Sequence, residues 1–104
     1  MDSTRDVIIQ STRFDEAVAF YRNVLGFAPT IVRERMVGFE TGNFQLFVEP
    51  GGAPGPVFDF ECDDFAATKA RLLEHGCVIV DENPAIPRCY LRDPHGLVFN
   101  LAAR

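Results

Sequence analysis

An internal repeat constrains this chain more than any other feature, because repeated units fix a fold more firmly than local propensity does. The first half predicts a strand, a helix and three further strands, and the second half predicts the same order again. Phe14 of the first predicted helix corresponds to Phe65 of the second, and the turn glycines Gly42 and Gly96 are also aligned. The repeat therefore predicts an α+β fold made of two β-α-β-β-β modules.

Both predicted helices carry end signals. Thr12 and Asp15 have the spacing of a capping box before the first helix, and Gly26 stands where a helix commonly ends. Asp63 or Asp64 is the corresponding N-cap of the second helix. The predicted strands cover residues 7–10, 30–33, 36–41, 44–49, 57–62, 77–80, 88–92 and 97–102.

A Pro- and Gly-rich stretch at residues 51–56 divides the chain almost in half. A length of 104 residues fits one domain. We therefore expect a single domain at 1–104, with module one at 1–50, the linker at 51–56 and module two at 57–104.

Charge and cysteine content narrow the function classes. The net charge is −5 and no basic patch occurs, which disfavours nucleic acid and membrane surfaces as partners. The three cysteines form no CxxC pair, which indicates a reducing, cytoplasmic location rather than a disulfide framework. We find no apolar run of signal-peptide or transmembrane character.

Two motifs, AVAFYRNVLGF at 17–27 and RDPHGLVFNL at 92–101, resemble the glyoxalase, bleomycin-resistance and extradiol-dioxygenase superfamily, also called vicinal oxygen chelate. The resemblance covers nearly the whole chain. It implies a curved mixed sheet around a cleft, with the helices on the outer face. In the metal-dependent members, four inward side chains from the first and last strands of each half hold a divalent ion.

The resemblance places those four positions at Asp6, Leu46, Val57 and Asn100. Leucine and valine cannot coordinate a metal. One carboxylate and one amide are too few for a dedicated catalytic site, although a weak magnesium site remains open. We therefore expect neither a metal nor another cofactor, and we expect Asn100 to face an organic ligand or solvent.

Strand alternation extends these positions to a set that lines the predicted cleft. A register slip of one residue would reverse the faces and would make Gln10 or Glu49 ligand candidates instead. The predicted ligand-binding residues are Asp6, Ile8, Gln10, Phe44, Leu46, Asp59, Glu61 and Asn100.

The resemblance and the residue types favour a metal-independent protein of the bleomycin-resistance type, which sequesters a cationic or aromatic organic ligand. The resemblance also implies a homodimer. The alternatives are a lyase, isomerase or dioxygenase that acts on a small oxygenated substrate, and a non-catalytic regulatory or scaffolding protein. No catalytic residue is assigned. Asn100→Ala and Glu61→Ala are expected to weaken ligand binding while leaving the fold nearly unchanged.

Overall fold

The computed structural model describes residues 1–104 and contains eight strands and two helices in the repeated order. The predicted α+β class is confirmed, with a mixed sheet. Neither helix has the length and apolar character needed to cross a membrane. The elements are β1 (Asp2–Ser11), α1 (Phe14–Ala19, continued by a π-helical turn at Phe20–Val24), β2 (Ala28–Arg33), β3 (Met36–Glu40), β4 (Gln45–Pro50), β5 (Val57–Cys62), α2 (Phe65–Glu74), β6 (Val78–Asn83), β7 (Arg88–Arg92) and β8 (Val98–Ala103).

The chain forms two compact units. We call Arg5–Pro56 the N-terminal unit and Met1–Thr4 with Val57–Arg104 the C-terminal unit. The strand order is β2-β3-β4-β1 in the N-terminal unit and β1-β5-β8-β7-β6 in the C-terminal unit, which contains only the beginning of β1. In both units the first strand pairs in parallel with the last, as β1 with β4 and β5 with β8.

Each unit has a hydrophobic core between its sheet and its helix. In the N-terminal unit, apolar side chains of α1 pack on Val37, Phe39, Leu46 and Val48 of β3 and β4. These four are nearly or fully removed from solvent. The corresponding core of the C-terminal unit packs Phe65 and Leu72 of α2 against strand and turn residues, which are Cys62, Cys77, Cys89, Leu91, Phe99 and Leu101.

The two helices begin differently. The Asp64 side chain accepts a hydrogen bond from the Ala67 N–H at 3.0 Å, which confirms the N-cap predicted for α2. The capping box predicted for α1 is wrong, because its N-cap is Arg13 and no side chain caps it. The Ser11 hydroxyl accepts a hydrogen bond from the Arg13 N–H at 3.0 Å instead, so Ser11 fixes the turn that leads into α1.

Candidate functional site

The sheet of the C-terminal unit has one face covered by α2 and one without a helix. Phe99 and Leu101 of β8 pack on the α2 side, so Asn100 between them points to the opposite side. We call this opposite side the helix-free face. Asn100 is paired with Asp59 of β5 and with Tyr90 of β7, which places these three residues side by side across the sheet.

Asn100 lies in a chain of hydrogen bonds on the helix-free face. Its Nδ2 donates to Asp59 Oδ1 at 3.0 Å, and its Oδ1 accepts from the Cys89 backbone N–H at 2.9 Å. The Thr4 hydroxyl donates to the other carboxylate oxygen of Asp59 at 2.9 Å. The chain joins β1, β5, β8 and β7 through side chains.

These bonds explain why an asparagine stands in a largely apolar strand. A buried amide is costly unless it is paired, and here the oxygen of Asn100 satisfies a backbone donor of the neighbouring strand. This oxygen is also the atom through which Asn100 would have coordinated a metal ion. Asn100 is therefore first a structural residue, which corrects the expectation that its amide faces only a ligand or solvent.

Glu61 lies near a cation that sequence reasoning missed. Arg104, the last residue of the chain, places its Nη1 3.6 Å from Glu61 Oε1 and 2.7 Å from Asp2 Oδ2. Its Nε lies 2.7 Å from Asp63 Oδ1. Hydrogen bonds with Asp63 and then with Asp2 raise the pKa of Arg104. No sequence motif marks a C-terminal arginine as a partner of three carboxylates.

Arg88 adds a cationic group to the site and covers the ring of Tyr90, which is only 2% exposed. Arg88 Nη1 donates to Asp81 Oδ2 at 3.2 Å, and its guanidinium carbon lies 5.2 Å from the centre of the Tyr90 ring. That distance is within the range of a cation–π contact. Sequence reasoning missed Tyr90, because the direction in which the side chains of β7 point was not assigned.

Two of the three carboxylates around this face are paired with arginine side chains. Asp59 is bound by neutral donors, Glu61 lies near Arg104, and Asp81 accepts from Arg88. An unpaired group of carboxylates would attract a cation. Pairing removes most of that attraction, so these residues do not select strongly for a cationic ligand.

The DPHG segment forms the tight turn that leads into β8. Asp93 Oδ1 accepts hydrogen bonds from the backbone N–H groups of His95 and Leu97, both at 2.9 Å. The Leu97 bond is the largest cause of the lowered pKa of Asp93. Gly96 has a φ of 101°, a conformation that favours glycine. The motif therefore fixes the strand that carries Asn100.

In the N-terminal unit, three predicted site residues share the face of β1 that is turned away from α1. Ile9 packs into the core beneath α1, so the alternating positions on either side of it point the other way. These positions are Asp6, Ile8 and Gln10. Their partners in the parallel strand β4 are Gln45, Phe47 and Glu49.

The placement of Leu46 on that same face is wrong. Leu46 is 8% exposed and belongs to the core packed by α1. Phe44 precedes β4 and lies in the turn, where its carbonyl accepts hydrogen bonds from the backbone N–H and the hydroxyl of Thr41. Alignment of the two turn glycines therefore shifted the expected register of β4 by one residue.

The parallel pairs give the correct correspondence between the two units. Ile8 pairs with Phe47 in the N-terminal unit, as Asp59 pairs with Asn100 in the C-terminal unit. The residues that close the two turns, Phe44 and Leu97, give the same correspondence. Phe47 lies three residues after Phe44, and Asn100 lies three residues after Leu97. The position equivalent to Asn100 is therefore Phe47.

Gln10 contacts the linker between the two modules. Its Oε1 accepts a hydrogen bond from the Ala53 N–H at 3.0 Å. A Cβ atom added to Gly51 would lie 2.1 Å from the same oxygen, so the side chain packs directly on the glycine. Its Nε2 is buried without a hydrogen-bond partner. Gln10 thus holds the linker, a role that sequence reasoning missed.

Neither unit supplies two metal ligands at the positions that the resemblance implies. The four relevant positions hold Asp6 and Phe47 in the N-terminal unit and Val57 and Asn100 in the C-terminal unit. Two of these side chains cannot coordinate, and the oxygen of Asn100 is engaged by a backbone N–H. No group of three or more His, Cys, Asp or Glu side chains that could hold a metal ion occurs in the structure.

Solved structures of low sequence identity share this fold. A glyoxalase/bleomycin resistance protein/dioxygenase superfamily member from Vibrio splendidus has a TM-score of 0.60 and 15% identity, covering 95% of each chain. An NAD-dependent benzaldehyde dehydrogenase from Legionella pneumophila has a TM-score of 0.67 and 12% identity, covering 94% of this chain and 96% of that one. A bleomycin-binding protein from Streptomyces verticillus has 18% identity, covering 100% of this chain and 97% of that one, but its TM-score of 0.45 is too low to indicate a shared fold.

The fold and the repeated parallel pairs define a protein of the glyoxalase, bleomycin-resistance and dioxygenase superfamily. A family model described as Glyoxalase-like domain matches residues 6–102. The chain belongs to the glyoxalase-like domain family. No curated protein matches it.

Proposed function

We propose that this protein binds a small organic molecule without the aid of a metal ion. The observation that carries the proposal is the donor set at the positions where metal-dependent relatives would hold their ion. A phenyl ring at Phe47, an isopropyl group at Val57 and an engaged amide at Asn100 leave Asp6 as the one carboxylate. Such a set offers contact area and hydrogen bonds rather than Lewis-acid chemistry.

The helix-free face of the C-terminal unit supplies the contacts that we propose for the ligand. Small-molecule sites combine apolar and aromatic surface with a few fixed polar groups. Here Arg88 lies over Tyr90, and the Asp59–Asn100 pair holds its orientation through neighbouring strands. We propose an aromatic ligand with polar substituents, bound by hydrogen bonds and by stacking on the Arg88 guanidinium, because the Tyr90 ring beneath it is buried.

The proposed activity is sequestration. A bound compound cannot reach its target, so protection requires affinity and one protein chain per ligand but no chemical turnover. We also propose that the protein acts in the cytoplasm as a homodimer. The three free cysteines suit a reducing compartment, and Phe20, Val24 and Leu25 form an exposed apolar strip around the π-helical turn of α1.

The proposal is tested by titrating chelator-treated protein with metal-free bleomycin and with an aromatic dye, proflavine, by calorimetry in EDTA. We expect saturable binding of at least one probe, at one molecule per chain, with the probe recovered unchanged. Glu61→Gln is expected to weaken the binding of either cationic probe by less than about threefold, because Arg104 already offsets the charge of Glu61. Glu74→Gln, the same change at an exposed position on α2, serves as the control.

Two results would contradict sequestration. One is binding that occurs only after a divalent metal is added back. The other is conversion of a bound compound to a product over many turnovers, which would favour the lyase, isomerase or dioxygenase alternative.

A further inference from the structure

The C-terminal unit contains a cavity on the side of its sheet that carries α2. The cavity has a volume of about 410 Å³ and lies between the first turns of α2, the end of β6, the turn at residues 84–87 and the end of β8. This volume is in the range of small-molecule sites. Its apolar wall includes Phe65, Pro84, Pro87, Leu101 and Ala103.

The polar wall of the cavity is an ion pair rather than a single charge. Lys69 Nζ and Glu82 Oε2 form a salt bridge, and both side chains are largely shielded, with 26% and 28% exposed. The hydrogen bond with Lys69 is the largest cause of the lowered pKa of Glu82. Burial, followed by the charge of Glu82, raises the pKa of Cys89 to about 11, so this group stays a neutral thiol at physiological pH.

The salt bridge between Lys69 and Glu82 leaves the cavity better able to bind an anion than a cation. Glu82 is already held by the ammonium group of Lys69. A lysine has three N–H donors, and the structure uses one of those of Lys69 for Glu82. Arg88 also lines the cavity, but its guanidinium is paired with Asp81 and lies over Tyr90, so Lys69 is the cation available to a ligand. A ligand carboxylate can bind at Lys69 without displacing Glu82.

We propose that this cavity is a second ligand site that binds a small aromatic carboxylate. The ring packs between Phe65 and Leu101, and the carboxylate accepts hydrogen bonds from Lys69. The site lies on the α2 side of the sheet, whereas the ligand proposed above contacts the helix-free face. The contacts proposed here, Lys69, Phe65 and Leu101, are not among those proposed for the helix-free face, so the two proposals can fail independently.

The test is a titration of the full chain with 2-naphthoate, followed by backbone NMR shifts and calorimetry. The neutral amide 2-naphthamide has nearly the same shape and tests the charge. We expect one naphthoate per chain, with shifts concentrated at the start of α2, the end of β6 and the end of β8. The amide is expected to bind about tenfold or more weakly, since it lacks the charged hydrogen bond to Lys69.

Two variants test separately the charge of Lys69 and the free volume of the cavity. Lys69→Gln should weaken naphthoate binding by about tenfold or more and leave naphthamide binding nearly unchanged. Ala103→Leu adds volume to the cavity wall and should weaken both probes. The controls are Arg71→Gln and Ala70→Leu, which make matched changes at exposed positions of α2 outside the cavity wall. The native NMR spectrum of each variant confirms that it is folded.

A further variant is expected to keep or raise the affinity for naphthoate rather than lower it. Glu82→Gln removes the competing carboxylate while Lys69 remains, so naphthoate should bind as tightly as before or more tightly. The proposal is overturned by shifts confined to the helix-free face, by equal binding of naphthoate and naphthamide, or by no saturable binding at about 10 mM probe, weaker than a site built for this class would show. It is also overturned if folded Lys69→Gln keeps its full affinity for naphthoate.

Discussion

Replacing Phe39 by alanine is expected to lower the free energy of unfolding by about 3–5 kcal/mol, the range found for deleting a buried phenyl group. Phe39 is 0% exposed and lies in the core of the N-terminal unit. The centre of its ring is 6.1 Å from that of Tyr21 in the π-helical turn that continues α1. The substitution therefore removes contacts that hold β3 against this helical segment. Urea denaturation followed by far-UV circular dichroism measures the loss.

Phe44→Ala is the matched control, because Phe44 belongs to the same unit but is 37% exposed in the turn before β4. It removes the same atoms from a site that water already reaches, so the expected loss is below about 1.5 kcal/mol. Equal losses for the two variants would contradict the assignment of the α1 core.

Asn100→Ala is expected to cost about 2–4 kcal/mol of stability, contrary to the expectation from sequence that the fold would be nearly unaffected. The substitution leaves the Cys89 N–H without an acceptor and removes a donor from Asp59. Each unsatisfied buried group costs about 1–3 kcal/mol. Thr4→Val removes one donor from the other oxygen of Asp59 and should cost about 1 kcal/mol.

The control for Asn100 is Asn23→Ala, at an exposed position in the π-helical turn after α1. Its expected effect is within about 0.5 kcal/mol, as for most surface substitutions. Thermal unfolding compares the three variants at one protein concentration. An Asn100→Ala protein as stable as the parent chain would show that the hydrogen bonds of Asn100 add nothing to the fold.

The elements of this fold were predictable because they depend on local patterns. Apolar side chains recur at helical spacing around Phe14 and Phe65, and both helices pack through those residues. The N-cap at Asp64 was also readable from sequence. The missing cap of α1 was not, because Ser11, one position before the expected residue, supplies the local hydrogen bond.

The register of β4 shows why site residues are harder to predict than elements. The turns before β4 and β8 place their glycines at different positions relative to the closing residues Phe44 and Leu97. Aligning Gly42 with Gly96 therefore moved the expected site position from Phe47 to Leu46. A shift of one residue reverses the face of a strand, so this error exchanged a core residue for a site residue.

Partners distant in sequence were not predictable at all. Thr4 meets Asp59, and Arg104 meets Asp2 and Asp63, through the pairing of strands rather than through any motif. These contacts decide the charge of the site. The sequence suggested a group of carboxylates that would select a cation, whereas the structure pairs them.

The most direct test of metal-independent binding is the metal affinity of the purified, untagged protein. Elemental analysis gives the bound metal, and calorimetric titration with manganese, nickel, zinc and iron(II) gives the affinity. We predict less than about 0.1 metal ion per chain and no binding tighter than about 1 mM, because too few ligands are present at the site. Stoichiometric metal bound at micromolar affinity or better would contradict the proposal and would require an assay for enzymatic turnover.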